Sequence, residues 1–302
     1  MHKKTAASGK CHFGSLTDDL LRHVLSFLPA ADALQTCVLD TRWRDHWRGT
    51  TSLLLIFDQS SFPSSERFKQ LVKLFIHLRG NSPLDKCKIV ACVDDVEERT
   101  YTNTMLLVEY ALKCQVKELL LSVAVEEGDD GIEFEQLILD VPLISQHLKI
   151  LHLSRDCEYD DCSCHAYPVD QGVLLHGLSN AVNLKLIGDT YTELFIYRRD
   201  LECCPIFDKL NTLSLSEWFT TIDLLCILQH SPVLEVLTLK LDSTKKLVRA
   251  IGAEEKIEQL FVCSHLKVVN IECRKIDERV HKILKFLNTC GILYDQISIT
   301  EQ

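Results

Sequence analysis

Cys157, Cys162, Cys164 and His165 crowd four candidate zinc ligands into nine positions. Thiolates and imidazoles are groups that zinc takes, and four of them can close a tetrahedral shell. The C-x4-C-x-C-H spacing is not a standard zinc pattern, because a single residue between Cys162 and Cys164 makes it difficult to aim both sulfurs at one ion. The neighbouring Asp156, Glu158, Asp160 and Asp161 read as a solvated insertion behind a strand. No metal is assigned there. Cys203 and Cys204, just ahead of Pro205, receive no role. None of the twelve histidines stands with a cysteine in a recognisable nucleophile setting. Eleven glycines supply no phosphate-cradling loop of either standard spacing. The expectation is a chain without catalysis and without a cofactor. The acidic run from Glu126 to Gly131 reads as an exposed turn.

The charge balance narrows the partners. The chain of 302 residues carries a net charge of −10. Its first 50 residues hold seven Lys/Arg against five Asp/Glu, and the remaining 252 hold 26 against 38. An acidic body is the wrong surface for a phosphate backbone, so nucleic acid is not expected as a partner. No run reaches the roughly 18 apolar residues that a membrane helix needs, so no membrane is expected either. Residues 1–14 are basic without an apolar core and read as a disordered tail rather than a secretory signal. Most of the fourteen cysteines sit inside apolar patterns, as Cys37, Cys92, Cys114, Cys226, Cys263 and Cys273 do. There they act as small hydrophobes and stay reduced, which points to cytosol or nucleus.

With chemistry set aside, the elements carry the reading. In residues 15–50 the apolar positions Leu16, Leu20, Leu21, Val24, Leu25 and Leu28 recur every three to four residues, which predicts a helix. Thr17 fits its N-cap, Asp18 and Asp19 suit the positive end of its dipole, and Pro29 stops it. Ala30 to Leu39, with Leu34 and Val38, predicts a second helix. A third begins at Asp40 and places Trp43 and Trp47 four apart on one face. About 35 residues cannot bury so much leucine and tryptophan alone, so the segment must dock on something.

This run resembles the F-box, a three-helix module that docks on the Skp adaptor of cullin-RING ubiquitin ligases. The resemblance is to the form found in large plant families, with Phe27-Leu28-Pro29 and Trp43-Arg44 in register. Thr17 stands where that pattern has proline, Ala31 where it has arginine, and Asp40-Thr41 where it has serine-arginine. The last two remove positive charge near the implied docking face. The resemblance implies Skp docking through Leu16, Leu20, Leu21, Val24, Leu28, Pro29, Leu34, Val38, Leu39, Trp43 and Trp47. Some of these must instead hold the module together or face the rest of the chain.

From residue 51 onward one pattern returns, apolar-x-x-apolar-x-apolar. It stands at 84, 116, 148, 181, 210, 234 and 266, at separations of 32, 32, 33, 29, 24 and 32 residues. Each copy alternates like a half-buried strand. Helical patterns lie between copies, at Thr102 to Cys114, Phe134 to Ser145, Thr221 to His230 and Asp277 to Cys290. Strand and helix at near-constant spacing predict a solenoid, and L-x-x-L-x-L is the strand pattern of leucine-rich repeats. Glu118, His152, Lys185, Ser214, Thr238 and Asn270 would alternate outward on its sheet. A doubly wound α/β sheet is the competing reading. Residues 263–302 resemble the C-terminal region of plant F-box/leucine-rich-repeat proteins of the FBD type, with a helix on Val280, Ile283, Leu284 and Leu287 and a last strand at Ile297 to Ile299.

The expected architecture is thus α/β: a disordered tail (1–14), a three-helix F-box (15–50), an irregular leucine-rich-repeat solenoid with a parallel sheet (51–262) and a capping region (263–302). The resemblance implies a substrate-recognition subunit of a Skp–cullin–F-box ubiquitin ligase, joined to the cullin-RING machinery through the Skp adaptor and holding a protein substrate on its repeats. Nothing in the sequence spells the substrate. The alternative is an interaction solenoid that joins no ligase, its F-box having diverged.

Overall fold

A computed structural model describes residues 16–38, 41–58, 65–93, 98–125, 144–156, 174–188, 201, 204–216, 219–241 and 261–301. Nine strands lie among the described residues: β1 (Ser52–Asp58), β2 (Lys86–Val93), β3 (Glu118–Val125), β4 (Ile150–Asp156), β5 (Asn183–Gly188), β6 (Thr212–Ser216), β7 (Val236–Leu241), β8 (Val268–Cys273) and β9 (Ile297–Glu301). They form one sheet in chain order, β1 to β9, and every pairing is parallel. A doubly wound sheet reverses direction at a switch point, and this one does not. The chain-order parallel sheet is compatible with a leucine-rich-repeat solenoid.

The repeat motif sets where each strand begins. From β2 to β8 the strand starts two residues into the motif: 86 after 84, 118 after 116, and so on to 268 after 266. The first, fourth and sixth motif positions are buried throughout, as Leu148, Leu151 and Leu153 or Leu234, Leu237 and Leu239 illustrate. Strand β1 obeys the same frame with Thr50 at the first position, itself buried beside Leu53 and Leu55. A threonine in the apolar slot hid this first copy from the pattern.

Register is kept from strand to strand with one exception. Leu119 pairs with Leu151, and Leu184 with Leu213, as equal motif positions should. Between β4 and β5, Leu151 instead meets Leu186, a slip of two residues. Side chains alternate with period two, so this slip leaves the leucines inside, where a slip of one would turn them out. Ion pairs join equal motif positions of neighbouring repeats: Lys86 with Glu118 at 2.7 Å within the strands, and, just ahead of them, Lys117 with Asp85 at 2.6 Å and Lys267 with Glu235 at 2.7 Å. Lys240 and Glu272 pair likewise. Exposed pairs contribute little individually, at most about 1 kcal/mol, but they favour the register that makes them.

Helices cross between strands on the buried side. They are α3 (Ser65–Arg79), α4 (Glu98–Lys113), α5 (Leu174–Gly177), α6 (Thr221–Gln229) and α7 (Glu278–Thr289), following α1 (Asp18–Leu25) and α2 (Ala30–Gln35). Val72 and Phe75 of α3, Val108 and Ala111 of α4, Leu224 and Ile227 of α6, and Val280, Ile283 and Leu287 of α7 join the strand leucines in one core. Helix α3 starts in the last two residues of a Ser-rich run, 59–66, that reads in sequence as a connection, and no helix is expected from sequence over the rest of it. The predicted helix at 134–145 lies almost wholly outside the described residues. Helix α6 opens with a capping box in which the Thr220 N–H donates to Asp223 at 2.7 Å. Helix α3 closes on Gly80 at φ +65°, α7 on Gly291 at φ +82°, and α4 on Gln115 at φ 57°, each turning the chain toward its next strand through a left-handed residue.

The last residue of α3 ties three parts of the chain together. Arg79 is buried, and its guanidinium donates to the Thr50 carbonyl at 2.8 Å, the Ser82 carbonyl at 2.9 Å and the Tyr110 hydroxyl at 3.0 Å. Tyr110 in turn donates to the Gly80 carbonyl at 2.8 Å. Burial pushes the Tyr110 phenol up to about 12, so it remains a donor at any ordinary pH. Lysine has one nitrogen and cannot span these acceptors. Arg79→Met leaves buried carbonyls without a donor and should lower stability by roughly 3 kcal/mol, with Arg79→Lys recovering only part. Urea unfolding of the full chain measures this, and an unchanged midpoint would remove Arg79 from the framework.

Candidate interaction surface

The N-terminal segment forms from short pieces laid against β1 and α3. Thr17 caps α1, its hydroxyl accepting from the Leu20 N–H at 3.4 Å, as its place before two aspartates predicts. Helix α1 ends at Leu25 with Ser26 as its C-cap, short of the stop expected at Pro29; Pro29 instead serves as the N-cap of α2 and bridges to Leu54 of β1. The predicted third helix is not one helix. It is realised as two single 3-10 turns, Thr41–Trp43 and His46–Gly49. The cause is packing: Trp47 inserts under the sheet edge, its ring 5.4 Å from that of Phe75, with its indole N–H donating to the Arg44 carbonyl at 3.0 Å. A continuous helix would commit that carbonyl to its own ladder.

Arg42 closes the module. Its guanidinium donates to the Leu16 carbonyl and, at 2.8 Å, to Asp18, whose carboxylate also has His46 at 3.5 Å. The start of α1 is thereby pinned to the segment after α2. The hydrogen bond from Arg42, helped by the charge of His46, holds the Asp18 carboxyl below its ordinary 3.8.

The proposed docking residues divide in two. Leu21 is wholly buried and Trp47 is 2% exposed, so both serve the interior and neither is presented to a partner. Leu25, not named from the sequence, joins them. Leu28, Leu34 and Trp43 are half-buried against the same core, and Leu16 and Pro29 are half-buried. Leu20 and Val24 face solvent, at 48% and 40% exposure, and Val38 is exposed. Phe27, at 68%, continues the Leu20–Val24 face at helical spacing and was missed by the sequence reading; its ring meets that of His23 edge-on. Its membership of a Phe-Leu-Pro stop masked it. Leu39 lies outside the described residues, as does the Cys157 to His165 cluster. Helix α1 is therefore apolar on two sides, one used within the chain and one left to solvent, in a way that a lone amphipathic cap does not need. Among the described residues, Cys204, Cys226 and His230 are the cysteine–histidine group close enough together to hold a metal.

No family model matches the chain. Similar curated proteins of Arabidopsis thaliana do. An F-box/FBD/LRR-repeat protein is 26% identical over 206 residues, covering 68% of this chain and 42% of its own length. Another protein of that description is 27% identical over 130 residues, 43% of this chain and 27% of its own length. An FBD-associated F-box protein is 31% identical over 117 residues, 39% of this chain and 25% of its own length. The chain is a homologue of plant F-box/FBD/LRR-repeat proteins. It spans less than half the length of each of these three relatives. The F-box and LRR of those names correspond to what the N-terminal run and the repeated strand motif resemble. Among the described residues, no helix is long and apolar enough to cross a membrane.

The Asp18–Arg42 lock has a pH signature. Asp18 titrates lower folded than unfolded, so its contribution is complete above about pH 4 and fades as pH falls through the lowered folded value. Arg42 loses the same contribution when Asp18→Asn removes the charge. The melting temperature of Asp18→Asn should fall below that of the parent chain near neutral pH, and the two should converge on acidification. A gap independent of pH would mean that the ion pair does not hold the module.

Proposed function

We propose that this chain is a substrate-recognition subunit of a Skp–cullin–F-box ubiquitin ligase, with the N-terminal module docking on the Skp adaptor and the repeat solenoid holding a protein substrate. The observation that carries this reading is the solvent-facing pair Leu20 and Val24 on α1, whose other side is already buried, continued by exposed Phe27 in the turn that follows. An apolar helix face is what a groove on a partner takes up. The similarity to F-box/FBD/LRR-repeat proteins supports a Skp-type adaptor as that partner. The outer face of the sheet, with Lys185, Ser214, Thr238 and Asn270 in a row, supplies a surface for substrate. The mechanism is positioning: substrate lysines are held near the ubiquitin-loaded enzyme, and the bond-making belongs to other subunits. Such a subunit works in cytosol or nucleus.

A second reading has one observation in its favour. Ala31 and Thr41, where the resembled pattern carries arginine, are both exposed, so the module offers a partner less charge. On that reading the chain is an interaction solenoid without a ligase.

Co-expression with a Skp-type adaptor separates the two. A stable one-to-one complex is expected. Leu20→Asp with Phe27→Ala should weaken it by roughly 10- to 100-fold, the equivalent of losing about 1.5–3 kcal/mol of apolar contact. Leu20 is half and Phe27 two-thirds exposed, so the melting temperature of the isolated chain should move little. A soluble monomer that never binds the adaptor supports the second reading, and full recovery by the folded double variant removes the stripe from docking.

A further inference from the structure

Cys204 and Cys226 are 22 positions apart in sequence, and sequence reading gives neither any chemistry. The fold brings them together with His230. Cys204 lies in the approach to β6, Cys226 lies in α6, and His230 is the residue on which α6 ends. One ligand atom from each, two sulfurs and a ring nitrogen, lies within 4.8 Å of the others. Cys226 Sγ and His230 Nδ1 are 3.9 Å apart. In a tetrahedral zinc site with Zn–S near 2.3 Å and Zn–N near 2.1 Å, the ligand-to-ligand edges are about 3.6–3.8 Å. The group is thus within about an ångström of that geometry before any ion arrives.

Several features prepare it. The two facing elements are joined by a backbone bond from the Phe207 N–H to the His230 carbonyl at 2.8 Å. The Cys226 thiol donates to the Leu201 carbonyl at 3.4 Å, which turns its sulfur toward the approach to β6. His230 Nδ1 lies 2.8 Å from the Cys226 carbonyl as well as 3.9 Å from the Cys226 sulfur, so binding an ion through this nitrogen places the ring proton on Nε2 and exchanges the carbonyl contact for the ion. The end of a helix carries partial negative charge and favours a cation.

We infer that Cys204, Cys226 and His230 form a binding site for a thiophilic cation, Zn²⁺, which clasps the approach to β6 onto the end of α6. Two sulfurs and an imidazole select zinc over magnesium or calcium, whose ligands are oxygens. Three ligands leave the fourth tetrahedral position to water or to an incoming group. The site is separate from the Leu20–Val24–Phe27 stripe and does not depend on the ligase reading.

The test is cobalt(II) and zinc titration of the full chain, reduced and freed of metal, beside the variants Cys226→Ser and His230→Gln. A control variant removes the linear cluster (Cys157→Ser, Cys162→Ser, Cys164→Ser and His165→Gln). The parent and the control should each give the thiolate-to-cobalt charge-transfer band and the intense visible bands of a tetrahedral ion at the Cys204 site. Both single variants should bind at least about tenfold more weakly there. Zinc should raise the melting temperature of the parent and the control, but not of the single variants, which should match the metal-free parent. No tetrahedral cobalt band, a band that survives Cys226→Ser, or one lost only in the control overturns the site. Peptide mapping of freshly purified chain that finds a Cys204–Cys226 disulfide and no zinc overturns it equally.

Discussion

A strand of this sheet can bury only one of its faces, and that constraint governs the molecule. The first, fourth and sixth residues of each motif must leave water, and a single strand with one helix offers them no enclosed space. Stacking in chain order solves this, because each added strand extends the same apolar layer. The requirement is parity rather than exact alignment, which is why the sheet tolerates the two-residue offset between β4 and β5. It also explains how crossovers as different as the 16-residue α4 and the four-residue α5 can serve the same sheet.

Most of this architecture was legible, because burial on one face leaves a period-two trace that no loop disturbs. Seven motif copies became seven strands with one common offset, and the final strand appeared where the C-terminal pattern placed it. The failures lie where the N-terminal module meets the sheet. Thr50 broke the apolar pattern of the first copy, and its buried hydroxyl donates to the Trp47 carbonyl at 3.0 Å. The segment from Thr41 to Gly49 has helical spacing, yet Trp47 finds Phe75 and the backbone gives up a regular helix to let it in. Tertiary packing outweighs local propensity there.

The same distinction separates the two surfaces. Sequence spacing found the apolar residues of α1 but could not sort Leu21 and Leu25 from Leu20 and Val24, since both sets have helical spacing. Only the folding of the His46–Gly49 turn back onto α1 decides which side is covered. Cysteine chemistry was read where ligands crowd together in sequence, from Cys157 to His165. The cluster that the described fold assembles draws one ligand from the approach to a strand and two from the end of a helix, and nothing short of the fold announces it.

Arg79 bears on how this molecule would transmit orientation. Its side chain reaches from the end of α3 to Thr50, the residue where the N-terminal module meets β1, and it holds Tyr110 of the next crossover in the same grip. Module and sheet are consequently not two beads on a string. They share a buried brace, and Trp47 wedged against Phe75 adds a second point of fixation. An object gripped by α1 at one end and loaded on the sheet at the other would behave as a bracket, with the angle between grip and load built into the joint.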